Sequence, residues 1–247
     1  MDVRAATVSR GAYLLSLGLV PYTDALALQR SLAGSVSQGA TPETVIFLEH
    51  PPVVTIGRRT EEGELHVPDD AAVEIAETDR GGKSTFHGPG QLVCYPILDL
   101  EHHGKDVKRY VRDLEEALIR ALAAFDLESV RYDGLTGAWM PPSGGHGPRK
   151  IASIGVHVSR WVTTHGYALN VDLDPAPFTE WITACGLEDA AFTTMARELD
   201  RPVTVDEVRP AAIAAIAEVF GLELEEVPAS SGAGLWPQPI HGSLATR

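Results

Sequence analysis

Cysteine, long apolar runs and positive charge are all scarce in this sequence of 247 residues. Two cysteines, Cys94 and Cys185, are too few for the disulfide framework of a small secreted domain. No apolar segment approaches the ~20 residues that a membrane-spanning helix needs. The 20 lysines and arginines face 34 acidic residues, and the net charge of -14 opposes attraction to nucleic acid or anionic lipid. These shortages predict a protein of a reducing compartment that binds neither nucleic acid nor membrane.

The N-terminus permits two interpretations. Arg4, Arg10 and the apolar stretch 12–20 resemble a secretory signal, and the run Ala25-Leu26-Ala27 resembles its cleavage site. The same stretch also fits a first strand that runs into a helix after Pro21. We favour the strand and helix, and therefore predict a cytoplasmic protein.

Length and composition predict one globular domain. The chain is 44% apolar and 22% charged, which is ordinary for a folded protein and long enough for one sizeable core. The residues from Pro228 onward are rich in Ser, Gly and Pro and lack periodicity. We expect a single domain over residues 1–227 and a flexible tail over residues 228–247.

Short apolar runs bounded by Gly, Pro or His predict a sheet, and apolar residues at helical spacing predict a helix over 107–121. Thr204 and Glu207 have capping-box spacing ahead of a helix that ends near Phe220, although Pro210 leaves a later start open. The stretch 140–148 carries the residues of a flexible surface loop. The predicted strands cover 13–19, 44–48, 53–56, 73–77 and 92–97, a hairpin covers 150–158 and 163–171, and a short helix covers 178–184.

The run Gly82-Lys83-Ser84 has the ending of a nucleotide-binding P-loop, but the position that must hold its first glycine is Glu77. A carboxylate there would repel phosphates, so we exclude nucleotide binding at this stretch. Gly81 and Gly82 instead permit close backbone approach to a ligand, and the stretch is predicted to form a pocket wall that holds His87. The alternative is a tight turn around a buried histidine.

Cys185 is the better candidate nucleophile, because Gly186 follows it, whereas Cys94 lies inside an apolar strand. A thiol with a pKa of about 8.5 needs a neighbouring base or cation to react, and Lys150 is the candidate. Strict alternation puts Lys150 with Ala152 and Ile154 on one face of its strand, and Ile151, Ser153 and Gly155 on the other. His87, His157 and His165 are rival partners that spacing does not rank. We predict no metal site.

The segments "RGGKSTFHGPGQLVCYPI", "KIASIGVHVSRWVTTHGYALNVD" and "ACGLED" together resemble the octanoyl-acyl-carrier-protein:protein octanoyltransferases. The resemblance spans roughly residues 13–220. It implies an α/β (α+β) single domain of the biotin and lipoate protein ligase type, with a mixed sheet flanked by helices. It also implies Cys185 as the acyl-thioester nucleophile and Lys150 as the residue that lowers its pKa. The implied substrate-binding residues are Arg80, Gly81, Gly82, Lys83, Ser84, Thr85, Phe86, His87, Ser153, Ile154, Gly155, Gly166, Tyr167 and Ala168.

The resemblance implies acyl transfer without ATP or metal. The implied donor is acyl-carrier protein, and the implied acceptors are the lipoyl domains of 2-oxoacid dehydrogenase E2 subunits and the glycine-cleavage H protein. Since such partners are commonly acidic, we expect a ring of basic residues at the pocket mouth, formed by Arg58, Arg59, Arg80, Lys83 and Arg149. The chain departs from the family in a longer stretch at 140–148, in Cys94 where glycine is typical, and in the tail.

Three alternatives remain open. An ATP-dependent lipoate or biotin ligase would share the fold but would not need Cys185. A cysteine hydrolase would use water as the acceptor. A noncatalytic acyl-binding module would form no thioester.

Overall fold

A computed structural model describes residues 9–183 and 191–228 of the chain. Its helices are α1 (Tyr22–Ser37), α2 (Val107–Ala123), α3 (Pro177–Glu180), α4 (Met195–Leu199) and α5 (Val205–Phe220). Its strands are β1 (Arg10–Leu19), β2 (Thr44–Glu49), β3 (Val53–Ile56), β4 (Glu74–Glu77), β5 (Thr85–His87), β6 (Gln91–Ile97), β7 (Val130–Tyr132), β8 (Leu135–Met140), β9 (Arg149–Ser159), β10 (Val162–Asn170), β11 (Ala191–Phe192) and β12 (Leu222–Glu226).

Within the described residues, nine strands form one mixed sheet in the order β12-β1-β2-β6-β10-β9-β8-β7, with β11 added in parallel to β9. Strand β1 runs parallel to both β2 and β12, whereas β6, β10, β9 and β8 pair antiparallel. A smaller sheet has the order β4-β3-β5. The predicted mixed sheet with interleaved helices is confirmed.

Helices cover both faces of the large sheet. Strand β2 is buried on both sides, with Val45 and Phe47 packed in the core under α2 and α5, and Ile46 and Leu48 packed in the core under α1. A strand covered on both faces reads as a continuous apolar run, as this one does. The smaller sheet and the cavity beside it lie next to strands β8, β9 and β10 of the large sheet.

Capping residues fix where the two long helices of the first face begin. The Asp106 carboxylate accepts hydrogen bonds from the Lys108 and Arg109 backbone amides, and the Thr204 hydroxyl accepts one from the Glu207 amide. The predicted helix over 107–121 is confirmed and extends to Ala123. Helix α5 begins at Val205, so the later start left open by Pro210 is wrong: Pro210 lies inside the helix.

The N-terminal apolar stretch is the strand β1, so the predicted strand over 13–19 is confirmed with a longer N-terminal end. Its centre is paired on one side with β2 and on the other with β12. No helix among the described residues combines the length and apolar character required to cross a membrane.

Of the two segments predicted as loops, one contains a short strand and the other contains a tight turn. Residues 85–87 form the strand β5 rather than a loop, because they pair antiparallel with β3. Within 140–148 the chain closes as a turn, with reciprocal backbone hydrogen bonds between Ser143 and His146. Gly144 and Gly145 have φ of 58° and 83°, which a two-residue hairpin turn of the type I′ kind requires. Residues 142–148 are exposed and contain this turn, which agrees with the predicted surface loop, while its flexibility stays a prediction.

Candidate active site

A cavity of about 580 Å³ opens where the smaller sheet meets β8, β9 and β10. The wall on the side of the smaller sheet comes from the glycine segment 80–85 and from His87. The opposite wall comes from the middle of β9 and β10, together with Trp139 on β8 and Lys150 at the start of β9. Tyr22, Tyr95 and His165 also line the cavity.

Most of the residues implied as substrate-binding line this cavity, although they come from three separate segments. Phe86 is the exception: it packs in an apolar cluster, with its ring edge-to-face against Phe178 and Trp181 at 5.9 and 5.6 Å. Cys185 lies outside the described residues. The members that line the cavity are Arg80, Gly81, Gly82, Lys83, Ser84, Thr85, His87, Ser153, Ile154, Gly155, Gly166, Tyr167 and Ala168.

Arg80 shapes the glycine segment from inside. Its guanidinium is buried and donates to the Thr55 carbonyl at 2.8 Å, to the Thr55 hydroxyl at 2.7 Å and to the Lys83 carbonyl at 2.7 Å. Glycines make room for it, because a Cβ on Gly57 would lie 2.7 Å from Nη1 and one on Gly155 would lie 3.0 Å from Cδ. Such short contacts explain why both positions lack a side chain. Arg80 therefore holds backbone carbonyls in place and is not part of an exposed basic ring.

The predicted basic ring is reduced further by ion pairs. Lys83 pairs with the Glu64 carboxylate, and Arg149 pairs with Glu198 at 2.8 Å outside the cavity wall. Arg58 and Arg59 are exposed and do line the cavity. Their backbone amides donate to the carbonyls of residues 80 and 82, which fixes the rim against the glycine segment.

Glu64 also connects the glycine segment to the chain that precedes Cys185. Its carboxylate holds Lys83, and its carbonyl accepts a hydrogen bond from the Thr183 amide at 2.9 Å. Beside it, Leu65 and Ile182 form an antiparallel bridge. The last residues described before position 184 are therefore fixed to the same layer as the cavity wall.

Lys150 lies on the cavity face of β9, and 4% of it is exposed. Its Nζ is 5.2 Å from the centre of the Trp139 ring. The register between β8 and β9 shifts by one residue here, because Ala138 faces Ala152 and Trp139 faces Lys150. This bulge puts Ile151 and Ala152 together in the core and brings Lys150 to the side of Ser153. Strict alternation predicted that Lys150 shares a face of the strand with Ala152 and not with Ser153, which is wrong.

Of the three rival histidines, His87 and His165 line the cavity and His157 does not. His87 donates from Nδ1 to the Gln91 side-chain oxygen at 2.7 Å, and burial lowers its pKa well below the usual range. The Nε2 of His165 lies 2.8 Å from the Asp79 carboxylate, while burial lowers the pKa of this imidazole to about 4. Both imidazoles are neutral at pH 7.

Sequence reasoning missed three further residues around the cavity. His50 donates from Nδ1 to the Val20 carbonyl at 2.7 Å and accepts from the Tyr95 hydroxyl at 2.8 Å, and burial lowers its pKa to about 4. Tyr22 stacks on His87 with ring centres 6.1 Å apart. Neither they nor Trp139 belong to a motif, so the sequence carried no signal for them.

No group of three or more histidine, cysteine, aspartate or glutamate side chains in residues 9–183 and 191–228 is arranged to hold a metal ion. The absence of a cofactor stays a prediction.

The family model for the lipoyl protein ligase A/B catalytic domain matches residues 21–217 of the chain. An octanoyltransferase of Mycobacterium tuberculosis is 50% identical over 200 residues, which are 81% of this chain and 83% of that protein. An octanoyltransferase of Geobacter sulfurreducens is 46% identical over 215 residues, which are 87% of each chain. The chain belongs to the octanoyltransferase family. It is therefore an acyltransferase.

Solved structures confirm the fold that this family shares. The structure of a lipoate-protein ligase A bound with ATP superposes with a TM-score of 0.72 at 19% identity, covering 91% of this chain and 92% of the ligase. A putative lipoate protein ligase from Thermoplasma acidophilum gives a TM-score of 0.70 at 21% identity, with the same coverage of each chain. At these identities the likeness carries the fold and not the reaction.

Proposed function

We propose that this member of the family transfers an octanoyl group from acyl-carrier protein to the lysine of a lipoyl domain, through a thioester on Cys185. The single observation that carries the proposal is the position of Lys150. Lys150 lines the same cavity as thirteen of the fourteen residues implied as substrate-binding. A lysine buried in a cavity of this kind is placed for proton transfer rather than for solvent contact.

The chain on both sides of Cys185 supports a position near Lys150. Thr183 is held by the Glu64 carbonyl, and Phe192, on the far side of the intervening segment, stands opposite Lys150 in the register between β11 and β9. Phe192 also lines the cavity. The segment 184–190 therefore begins and ends at elements that form the site.

The proposed chemistry has two transfers. Lys150 takes the Cys185 proton, the thiolate attacks the donor thioester carbonyl, and the departing pantetheine sulfur receives that proton. In the second transfer the amine of the acceptor lysine attacks the enzyme thioester and the bond to the Cys185 sulfur breaks. The proton that the amine loses passes through Lys150 to the Cys185 sulfur, which restores the thiol. Thioester exchange is nearly balanced and amide formation is downhill, so neither step requires a nucleotide. Backbone amides of the glycine segment are proposed to stabilise the oxyanion of the tetrahedral intermediate. The Gly81 amide is not among them, because it donates to the Val156 carbonyl at 2.9 Å.

The donor is proposed to dock at the exposed rim formed by Arg58 and Arg59. The chain as a whole carries a charge of -14, which opposes an acidic carrier except where positive charge is concentrated. Of the five predicted rim residues, these two keep exposed side chains at the cavity. The acceptor lysine must reach the same cavity after the carrier leaves.

Mass spectrometry of the intact protein after incubation with octanoyl-acyl-carrier protein tests the proposal. We expect a mass increase of one octanoyl group that is lost on addition of a lipoyl domain, with the group recovered on the domain's lysine. Cys185→Ser abolishes the adduct, and Cys94→Ser is the matched control that keeps it. Lys150→Ala slows its formation.

Other outcomes would contradict the proposal in distinct ways. Transfer by Cys185→Ser with ATP and free acid would indicate a ligase. Release of free octanoate without transfer would indicate a hydrolase, and binding without a thioester would indicate an acyl-binding module.

A further inference from the structure

We propose that Trp139 is a positioning residue for Lys150. Gly137 on β8 leaves room for the Lys150 side chain, and Glu115 on α2 fixes the backbone of β8 at Gly137. The inference rests on the proposed role of Lys150 and adds residues that act through it. Strand β8 is then part of the active site, although it contributes no residue to the three motifs of the family.

The Lys150 amine lies over the face of the Trp139 indole ring. The 5.2 Å between Nζ and the ring centre is within the range in which an ammonium is attracted by an indole face. The ring is 2% exposed, and its own orientation is fixed by a hydrogen bond from Nε1 to the Leu135 carbonyl and by an edge-to-face contact with Tyr132. A buried ring of fixed orientation favours the ammonium over the neutral amine and limits where the amine can lie.

Gly137 leaves room for the lysine stem. Its φ is 125°, in the region that favours glycine. A Cβ at this position would lie 2.4 Å from the Ala152 carbonyl oxygen and 3.0 Å from Lys150 Cε. Any side chain here would therefore push against the stem of Lys150 and the backbone of β9 together.

Glu115 holds Gly137 from the other side. Its carboxylate is 2% exposed and accepts the Gly137 amide at 3.1 Å. Arg112 at 2.8 Å and Arg131 at 3.3 Å balance the buried charge. A buried carboxylate with this set of partners connects α2 directly to the part of strand β8 that packs against Lys150.

The consequence concerns the ionisation of Cys185. If the ring favours the ammonium of Lys150, it also favours the thiolate that forms when Lys150 takes the thiol proton. Removing the ring then makes the thiolate harder to form, without removing either partner of the pair.

The experiment measures alkylation of Cys185 by iodoacetamide against pH, because the rate follows the thiolate fraction. We expect Trp139→Leu to raise the midpoint by about one pH unit and to slow octanoyl transfer at pH 7 about tenfold, since a desolvated cation–π contact has this order of magnitude. The KM for octanoyl-acyl-carrier protein stays unchanged. Trp139→Phe, which keeps a weaker ring, falls between the wild type and Trp139→Leu.

Trp161→Leu is the matched control. Trp161 carries an equivalent contact with Lys105 Nζ at 5.1 Å, and neither residue lines the cavity. We expect its alkylation midpoint to equal that of the wild type. If Trp139→Leu destabilises the fold, the graded midpoint of Trp139→Phe carries the test instead.

Two results separate the failures. A midpoint that stays the same in both Trp139 variants, while Lys150→Ala raises it, would overturn the role of Trp139 and leave the proposed function standing. A midpoint unchanged in Lys150→Ala would overturn the proposed pair of Cys185 and Lys150, and with it the inference.

Discussion

Three buried, neutral histidines make the fold sensitive to mild acid. His50 and His165 have pKa values lowered to about 4 by burial, and burial lowers that of His87 well below its usual range. A histidine in the unfolded chain has a pKa of about 6.5. Below that pH the unfolded chain therefore binds more protons than the folded chain does. The free energy of unfolding must therefore fall as the pH decreases from 6.5 towards 4.

The size of the effect follows from the two pKa values. For an unfolded pKa of 6.5 and a folded pKa of about 4, lowering the pH from 7.5 to 5.5 reduces the free energy of unfolding by about 1 to 2 kcal/mol for each histidine. Since pH 5.5 lies well above the folded value, this number depends mainly on the unfolded pKa. His50 and His165 together reduce it by about 3 kcal/mol, a large part of the ~5–15 kcal/mol that stabilises a typical domain. His87 adds to it.

Urea unfolding followed by tryptophan fluorescence at pH 7.5, 6.5 and 5.5 measures this dependence. His50→Gln supplies the comparison, because it removes one of the three titrating groups and should reduce the loss between pH 7.5 and 5.5 by about 1 to 2 kcal/mol. Carboxylates whose pKa is lowered in the fold, such as that of Glu198, stabilise the protein above their usual pKa. Their contribution is lost only as the pH falls to the usual carboxylate pKa or below, so they change the free energy of unfolding little above pH 5.5. A free energy of unfolding that stays constant over this range would refute the reasoning.

Two further predictions concern the exposed rim and the second cysteine. Arg58→Glu with Arg59→Glu is expected to raise the KM for octanoyl-acyl-carrier protein about tenfold at low ionic strength, with a smaller effect at high salt; an unchanged KM would exclude docking at this rim. Burial raises the pKa of the Cys94 thiol well above its usual range, so iodoacetamide at pH 8 should label Cys94 only after denaturation, and labelling of native Cys185→Ser protein would contradict this.

Much of the fold could be predicted because local sequence and tertiary structure agree. The apolar stripe of α2 and its Asp106 cap appear in the sequence at the positions where the structure has them. The runs that became β2 and β6 are mostly apolar because helices cover both faces of the sheet. Strands of two or three residues, such as β5 and β11, depend on partners distant in the chain, and the sequence around them carries no signal.

The cavity could be predicted by its segments but not by its geometry. The three motifs identified most of the residues in its wall. The bulge at Ile151, which turns Lys150 to the cavity face, arises from the pairing of β9 with β8 and cannot be deduced from alternation along β9 alone. Arg80 looked like a surface charge, because only the structure shows Gly57 and Gly155 making room for it.

The pairing of β1 with β12 bears on how the chain matures. Arg10 stands opposite Leu222, so β1 is synthesised long before the strand that pairs with it. Until then one edge of β1 is open, and an open parallel edge is slow to close and liable to self-association. A chain that ends before Leu222 should therefore need chaperone protection that the complete domain does not. In the complete domain, Glu223 and Glu225 on β12 discourage another strand from adding to this edge of the sheet.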